Sequence, residues 1–172
     1  VSYKAAWQAL DTLTNLAGVT LVERVVGGVG GGGAKLTTAA EQLLAAADAV
    51  VVTMQCEYYA MEGLSVIADL IRRLRESGAN PRLEIEGILM TMYDGRTRLA
   101  QDVVSEVRGH FGALVYETVI PRSIRLGEAP SFGRPITDYD PSSRAAAAYR
   151  AFAREFLARH RARTAEPAPP RP

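Results

Sequence analysis

The chain has 172 residues, 48% hydrophobic and 23% charged, which is enough apolar material for one domain with a buried core and excludes a disordered chain. Its 20 Lys and Arg stand against 19 Asp and Glu, so the net charge of +1 excludes a global electrostatic pull toward nucleic acid or an anionic membrane. The distribution is uneven: residues 1–120 carry 10 basic and 14 acidic side chains, net −4, whereas residues 121–172 carry 10 and 5, net +5, with every one of those later cations an Arg.

From the N-terminus, Trp7, Leu10, Leu13 and Leu16 recur at helical spacing before Gly18, which predicts an amphipathic helix over Tyr3–Leu16. Val19–Val26 is a predicted strand. Gly27–Gly33, glycine throughout except for Val29, is expected to be a flexible junction, because so many glycines lose much entropy on ordering. Thr37 or Thr38 is placed to cap a short helix through Leu44, and Ala49–Met54 has the continuous β-branched run of a strand buried on both faces. Leu64, Ile67, Ala68, Ile71 and Leu74 define a helix over Met61–Ser77 that Gly78 stops. Leu83–Met92 is a predicted strand, followed by a helix carrying Leu99, Val103, Val107 and Phe111 four residues apart, and by a strand over Leu114–Ile120. An irregular stretch from Arg122 to Ser142 precedes a last helix, Ser143 to about His160, with Tyr149, Phe152 and Phe156 inward. Four prolines in Glu166–Pro172 predict a disordered tail.

Strands alternating with helices imply βαβ units, hence an α/β fold with a parallel sheet and helices on both faces. Ligands of such sheets lie beyond the carboxyl ends of the strands, which directs attention to the loops after Met54, Met92 and Ile120. Cys56 is the only cysteine, so an intrachain disulfide and a Cys-rich metal site are excluded. No stretch approaches the ~20 apolar residues of a membrane span, and no signal pattern opens the chain, so a cytoplasmic location is expected. A chain that begins at Val1 is expected to be a fragment or to use a non-ATG start.

The loop after Met54 reads Gln55-Cys56-Glu57-Tyr58-Tyr59-Ala60-Met61-Glu62-Gly63-Leu64, and the loop after Met92 reads Tyr93-Asp94-Gly95-Arg96-Thr97. After Ile120 comes Pro121-Arg122-Ser123-Ile124-Arg125-Leu126-Gly127-Glu128-Ala129-Pro130, and later Tyr139-Asp140-Pro141-Ser142-Ser143-Arg144. In this order and spacing the loops resemble the C-terminal half of the ParA/Soj family of chromosome- and plasmid-partitioning ATPases, the deviant Walker group that includes MinD. The resemblance runs from about Ala45 to Phe156. It implies a P-loop NTPase-like fold that binds ATP and magnesium and dimerises around the nucleotide. It also implies DNA binding without sequence preference and a ParB/Spo0J-type centromere-binding partner that triggers hydrolysis, in the cytoplasm and on the nucleoid.

The same resemblance places Arg96 and Arg125 on a DNA-binding face, Met92, Tyr93, Pro121 and Arg122 near the adenine, and Glu57, Tyr58 and Tyr59 at the nucleotide and dimer edge. Guanidinium groups on loops at one sheet edge suit phosphate, which carries no sequence information. Read without the family, Arg96 caps the preceding strand, Arg125 pairs with Glu128, Pro121 closes a turn and the tyrosines pack. The stripe Arg150, Arg154 and Arg161 either extends a DNA surface or forms a solvated helix face.

The family's front end is not recognisable. Against G-x-x-x-x-G-K-[ST], Gly27 leads to Gly32 with Gly33 where Lys is required, Gly28 leads to Gly33 with Ala34 there, and Lys35 is followed by Leu36. The Asp-Cys-Pro-Pro switch is also absent. The expected organisation is a divergent segment with a Gly-rich junction over residues 1–36, a ParA/Soj-like half over 37–160 and a Pro/Arg tail over 161–172. A partition ATPase relative deficient in hydrolysis, with no catalytic or metal-binding residue to name, is the leading reading. The alternatives are a non-catalytic DNA-binding remnant or one that poisons dimers by associating with itself or a full-length relative; MinD-like membrane positioning is disfavoured, because a Pro-rich terminus cannot form an amphipathic membrane helix.

Overall fold

Apolar β-branched runs become strands and the 3.6-periodic segments become helices in the computed structural model, which describes residues 22–28, 31–57 and 60–165. The helix expected over Tyr3–Leu16, Tyr58, Tyr59 and the tail after Ala165 lie outside the described residues. Two units are distinguished, residues 1–50 with 70–84 and residues 51–69 with 85–172.

In the first unit, β1 (Val22–Gly28) and β2 (Gly31–Leu36) pair antiparallel, with Val22 opposite Leu36 and Gly28 opposite Gly31. This corrects the expected flexible junction: most of the glycine run lies in a hydrogen-bonded ladder. Glycine disfavours ordering by entropy, yet it keeps the backbone donor and acceptor that a neighbouring strand can pair. Helix α1 (Thr38–Ala46) starts where Thr37 Oγ1 accepts from Ala40 N–H, 3.3 Å. At its other end Asn80 Nδ2 donates to Leu44 O and Ala47 O, at 3.0 and 2.7 Å, satisfying carbonyls that the helix leaves open. Helix α2 (Ala60–Glu76), of which residues 70–76 belong to this unit, stops at Gly78, whose φ of +77° a side chain would disfavour, and Asn80 N–H then returns to Leu74 O.

The second unit is built on a three-stranded sheet of order β3-β4-β5, comprising β3 (Ala49–Gln55), β4 (Glu84–Tyr93) and β5 (Val115–Pro121). The expected parallel arrangement holds. Strand β4 runs parallel to β5, and Cys56 N–H donates to Thr91 O at 3.1 Å where β3 ends beside the end of β4. Ile88, Leu89 and Met90 are each buried, so both faces of β4 are covered. On one face Leu89, Tyr116 and Ile120 pack with Phe152 and Phe156 of the last helix, α6 (Arg144–Ala165). Helix α3 (Arg98–Phe111), capped by Thr97, buries Ala100, Val103, Val104 and Val107. Leu99 of the expected four-residue stripe is instead exposed, because the i, i+3, i+4, i+7 face is centred one position later.

The stretch expected to be irregular contains α4 (Ile124–Glu128), a 3-10 turn (Ala129–Phe132) and α5 (Ile136–Tyr139). Ala129 and Ile136 bury themselves against Ala145 and Ala146, the first turn of α6. Small residues at this junction let backbones approach, and they replace Tyr149, which is 36% exposed, as the inward contact. Helix α6 continues past His160, so Arg161–Ala165 are helical where a tail was expected.

Strand β5 is out of step with β4: Ile88 faces Val115 but Met90 faces Val119, so two steps of β4 oppose four of β5. Side chains capture backbone groups in this segment. Glu155 accepts from Glu117 N–H and Thr118 N–H at 2.7 and 2.9 Å, Arg159 donates to Ala113 O and Val115 O, and Arg108 donates to Glu117 O. Arg159 also bonds Glu155 at 2.7 Å and lies 4.3 Å from the centre of the buried Tyr116 ring. Burial pushes the Glu155 carboxyl up in pKa, but hydrogen bonds from Thr118 and the Glu117 amide, together with the Arg159 charge, bring it below the ordinary value.

Two outcomes follow. A Cβ on Gly87 would lie 2.5 Å from Tyr116 Cε2 and 3.1 Å from Leu114 O, so Gly87→Ala is expected to cost about 1–3 kcal/mol in urea unfolding. Because the folded pKa of Glu155 is depressed, its contribution is present above the ordinary glutamate range and is lost as pH falls through the folded value. Urea titrations at successive pH values should therefore show a flatter acid limb for Glu155→Gln than for the parent chain.

Candidate functional site

Parallel pairing brings the carboxyl ends of β3, β4 and β5 to one edge of the sheet, and the candidate residues lie at those strand ends and in the segments that follow them. Arg122 N–H donates to Tyr93 O at 2.9 Å, which ties the loop after β5 to the end of β4. Glu57, two residues beyond β3, meets the Arg122 guanidinium at 2.9 Å, although the two are 65 residues apart in sequence. Glu57, Tyr93, Pro121 and Arg122 are therefore adjoining parts of one edge.

Met92 is the only non-glycine residue among those described with positive φ, +56°. It lies where Met90 faces Val119 but Tyr93 faces Pro121, a register shift in which three steps of β4 oppose two of β5. A left-handed residue at a strand end turns the following side chains out of the ladder, at a cost on the order of 1–3 kcal/mol for a non-glycine. The sequence contains no signal for it, since methionine has no preference for that conformation.

The turn after Tyr93 is organised by Asp94. Its Oδ1 accepts from Arg96 N–H at 3.1 Å, and its backbone oxygen accepts from the Thr97 hydroxyl at 3.0 Å. The same carboxylate grips the Arg96 guanidinium in a fork, Nε to Oδ1 at 2.9 Å and NH2 to Oδ2 at 2.7 Å. Hydrogen bonding from Arg96 holds the Asp94 carboxyl down to about 2. Arg125, on α4, bonds Glu128 Oε2 at 3.2 Å and lies 3.9 Å from Asp140 Oδ2, while the Tyr139 hydroxyl donates to the same Glu128 oxygen. The pairing of Arg125 with Glu128 is the one its sequence spacing allows. Asp94 and Asp140 are the partners that sequence reasoning missed; an Asp two residues before Arg in a turn is a local signal for the first, whereas Asp140 has none. In the stripe on α6, Arg150 donates to Pro141 O at 2.6 Å, and Arg154 is exposed.

Cys56 is buried at this edge and unsuited to nucleophilic chemistry. Burial pushes its thiol up to about 11, against a smaller lowering by Arg122. The glycine run does not fit a triphosphate, because in β2 it forms an antiparallel strand rather than a loop converging on a helix N-terminus. Among the described residues no group of three or more His, Cys, Asp or Glu side chains is placed to hold a metal ion, and no helix is long and apolar enough to cross a membrane.

The sheet, its flanking helices and the polar edge define an α/β protein of the P-loop NTPase type, in the ParA/MinD-like group. The structure of cobyrinic acid a,c-diamide synthase from Mycobacterium smegmatis with bound ATP analog and magnesium matches with a TM-score of 0.52 and 32% identity, over 66% of this chain and 40% of that one. A family profile described as an AAA domain matches residues 33–85. The chain is 54% identical over 112 residues to the chromosome-partitioning ATPase Soj of Thermus thermophilus, covering 65% of this chain and 45% of Soj. It is 50% identical over 121 residues to the chromosome partitioning protein ParA of Caulobacter vibrioides, covering 70% of this chain and 45% of ParA. About two thirds of the chain is thus similar to ParA/Soj-family proteins, as a fragment of one would be. The chain spans slightly under half the length of these curated relatives.

The burial of Cys56 has a simple readout. A thiol reagent at neutral to mildly alkaline pH is expected to label the folded chain slowly and the urea-unfolded chain fast; equal rates would contradict the burial and the raised pKa.

Proposed function

We propose that this chain acts in chromosome or plasmid partitioning as a ParA/Soj-type protein, through a sequence-nonspecific DNA-binding edge formed by Arg96 and Arg125. The observation that supports the reading is that Arg96 lies in the turn after β4 and Arg125 in the short helix after β5, two adjacent parallel strands, in a chain about half identical over 112–121 residues to named partition proteins. Arg96 and Arg125 have side chains 89% and 60% exposed, which leaves them within reach of backbone phosphates. Met92, Tyr93, Pro121 and Arg122 would border the base of a bound nucleotide, with Glu57 and Tyr58 at the dimer edge.

In this reading ATP and magnesium belong to the family, and residues 1–172 do not turn over ATP, since no lysine-bearing phosphate loop is recognisable and the glycine run is laddered. A ParB/Spo0J-type protein is the expected partner, in the cytoplasm and on the nucleoid. A second reading, mixed association with a full-length relative, is supported by β3: this apolar strand is the terminal one in the order β3-β4-β5, and no described strand pairs with its outer edge. Co-purification with such a relative tests that reading.

The DNA reading predicts weak binding to a long random duplex that added salt lowers further, and Arg125→Glu is expected to abolish most of it. Identical binding by Arg125→Glu would remove Arg125 from the interface. No ATP turnover and no micromolar magnesium-dependent nucleotide binding are expected of the 172-residue chain; either one would overturn the assigned deficiency.

A further inference from the structure

The two arginines assigned to DNA are not free cations. Arg96 is held by both oxygens of Asp94 in the parallel two-bond geometry that guanidinium also uses for phosphate. Arg125 is held by Glu128, which is itself fixed by the Tyr139 hydroxyl, and Asp140 lies on the guanidinium's other side. Two cations therefore face three carboxylates, and this part of the edge presents no net positive charge. Asp94 cannot simply swing away, since its Oδ1 also accepts from the Arg96 backbone N–H and so belongs to the turn. Both guanidinium groups remain solvent-facing, and exposed ion pairs are weak enough for a phosphate oxygen to replace a carboxylate oxygen as the acceptor.

We propose that Asp94 and Glu128 are built-in competitors for the phosphate sites, so that the duplex binds by exchanging carboxylate for phosphate at Arg96 and Arg125. This inference rests on the DNA-binding reading above. It has a consequence that simple charge addition lacks. A phosphate meeting a free arginine releases a counterion, whereas a phosphate that evicts a carboxylate leaves that carboxylate to collect a counterion of its own, so the two nearly cancel in the salt dependence. Asp94 and Glu128 thereby suppress both the affinity and its salt slope, and they are specificity-determining residues for the ligand's charge density: a polyanion with phosphates close enough to engage both arginines wins the exchange, and an isolated anion does not.

The test is fluorescence anisotropy of a labelled random-sequence duplex titrated with the full 172-residue chain and its variants, between about 50 and 200 mM salt. Asp94→Asn keeps an oxygen for the Arg96 amide and is expected to retain the fold, checked by circular dichroism, as is Glu128→Gln. Each is expected to tighten binding by about threefold, and the double variant by about tenfold, from the release of exposed pairs. Each is also expected to steepen the salt slope by about one. Glu76→Gln, which makes the same charge change in the exposed Arg72–Glu76 pair on α2, should do neither. Asp94→Asn and Glu128→Gln variants that bind no tighter than Glu76→Gln overturn the exchange. Weaker binding by Asp94→Asn also overturns it and makes Asp94 a positioning residue for Arg96. If those variants behave as the parent while Arg125→Glu still loses binding, only the exchange fails; if Arg125→Glu binds as well as the parent, or neither the parent nor the double variant binds at low salt, the DNA reading fails with it.

Discussion

A strand that takes four steps while its neighbour takes two leaves backbone groups outside the ladder, and buried backbone groups must find partners. In β5 those partners are side chains of other elements: Glu155 for the amides of Glu117 and Thr118, Arg159 for the oxygen of Val115 and, just before the strand, that of Ala113, and Arg108 for the oxygen of Glu117. Glu155 and Arg159 lie one turn apart and bond each other, so α6 is fixed against β5 at two successive turns. Phe152 then meets Tyr116 edge-on at 4.9 Å, and Gly87 leaves the space that the Tyr116 ring fills. The short helices between β5 and α6 are held by the same docking, because Ala129 and Ile136 close against Ala145 and Ala146. Arg125 owes its position to that arrangement.

Charge at the strand-end edge is local and compensated. Arg96, Arg122 and Arg125 each meet a carboxylate, at 2.7, 2.9 and 3.2 Å. Arg96 belongs to the acidic part of the chain and Arg125 to the basic part, so the segmental charge bias does not describe the edge at all. Short contacts within one loop, set by a turn or by a spacing of three residues, decide which cations a ligand can reach. The Glu57–Arg122 pair differs in joining two loops, and it links a candidate dimer edge to a candidate base edge through one ionic contact.

The order of strands and helices was legible because it depends on periodicity. Alternation and continuous apolar runs located β3, β4 and β5, and the Thr37 cap began a helix where capping chemistry placed it. Legibility failed in three places for separate physical reasons. The glycine run was misread because entropy disfavours ordering glycine, whereas a neighbouring strand supplied hydrogen bonds that outweighed it. Leu99 was placed inward because a four-residue spacing fits a helix face only over a short span, and Ala100 and Val104 belong to the buried side. The segment after Arg122 read as irregular because α4 and α5 have five and four residues, too few to show a period. Of the site, the loops and their arginines were visible in the sequence; Met92's left-handed backbone and the carboxylate partner Asp140 were not.

By itself the sequence determined the α/β alternation, the three strand-end loops, the family resemblance carried by those loops and the failure of the glycine run as a phosphate loop. These are properties of spacing along the chain, fixed by helix and strand repeats and by the residue types that a local motif needs. Only the tertiary structure decided which charges cancel and which backbone groups are rescued. Glu57 meets Arg122 across 65 residues, and Glu155 meets the Glu117 and Thr118 amides across 38 and 37. Such contacts depend on strand register and helix docking, and register is set when the whole buried surface closes, not by any segment alone.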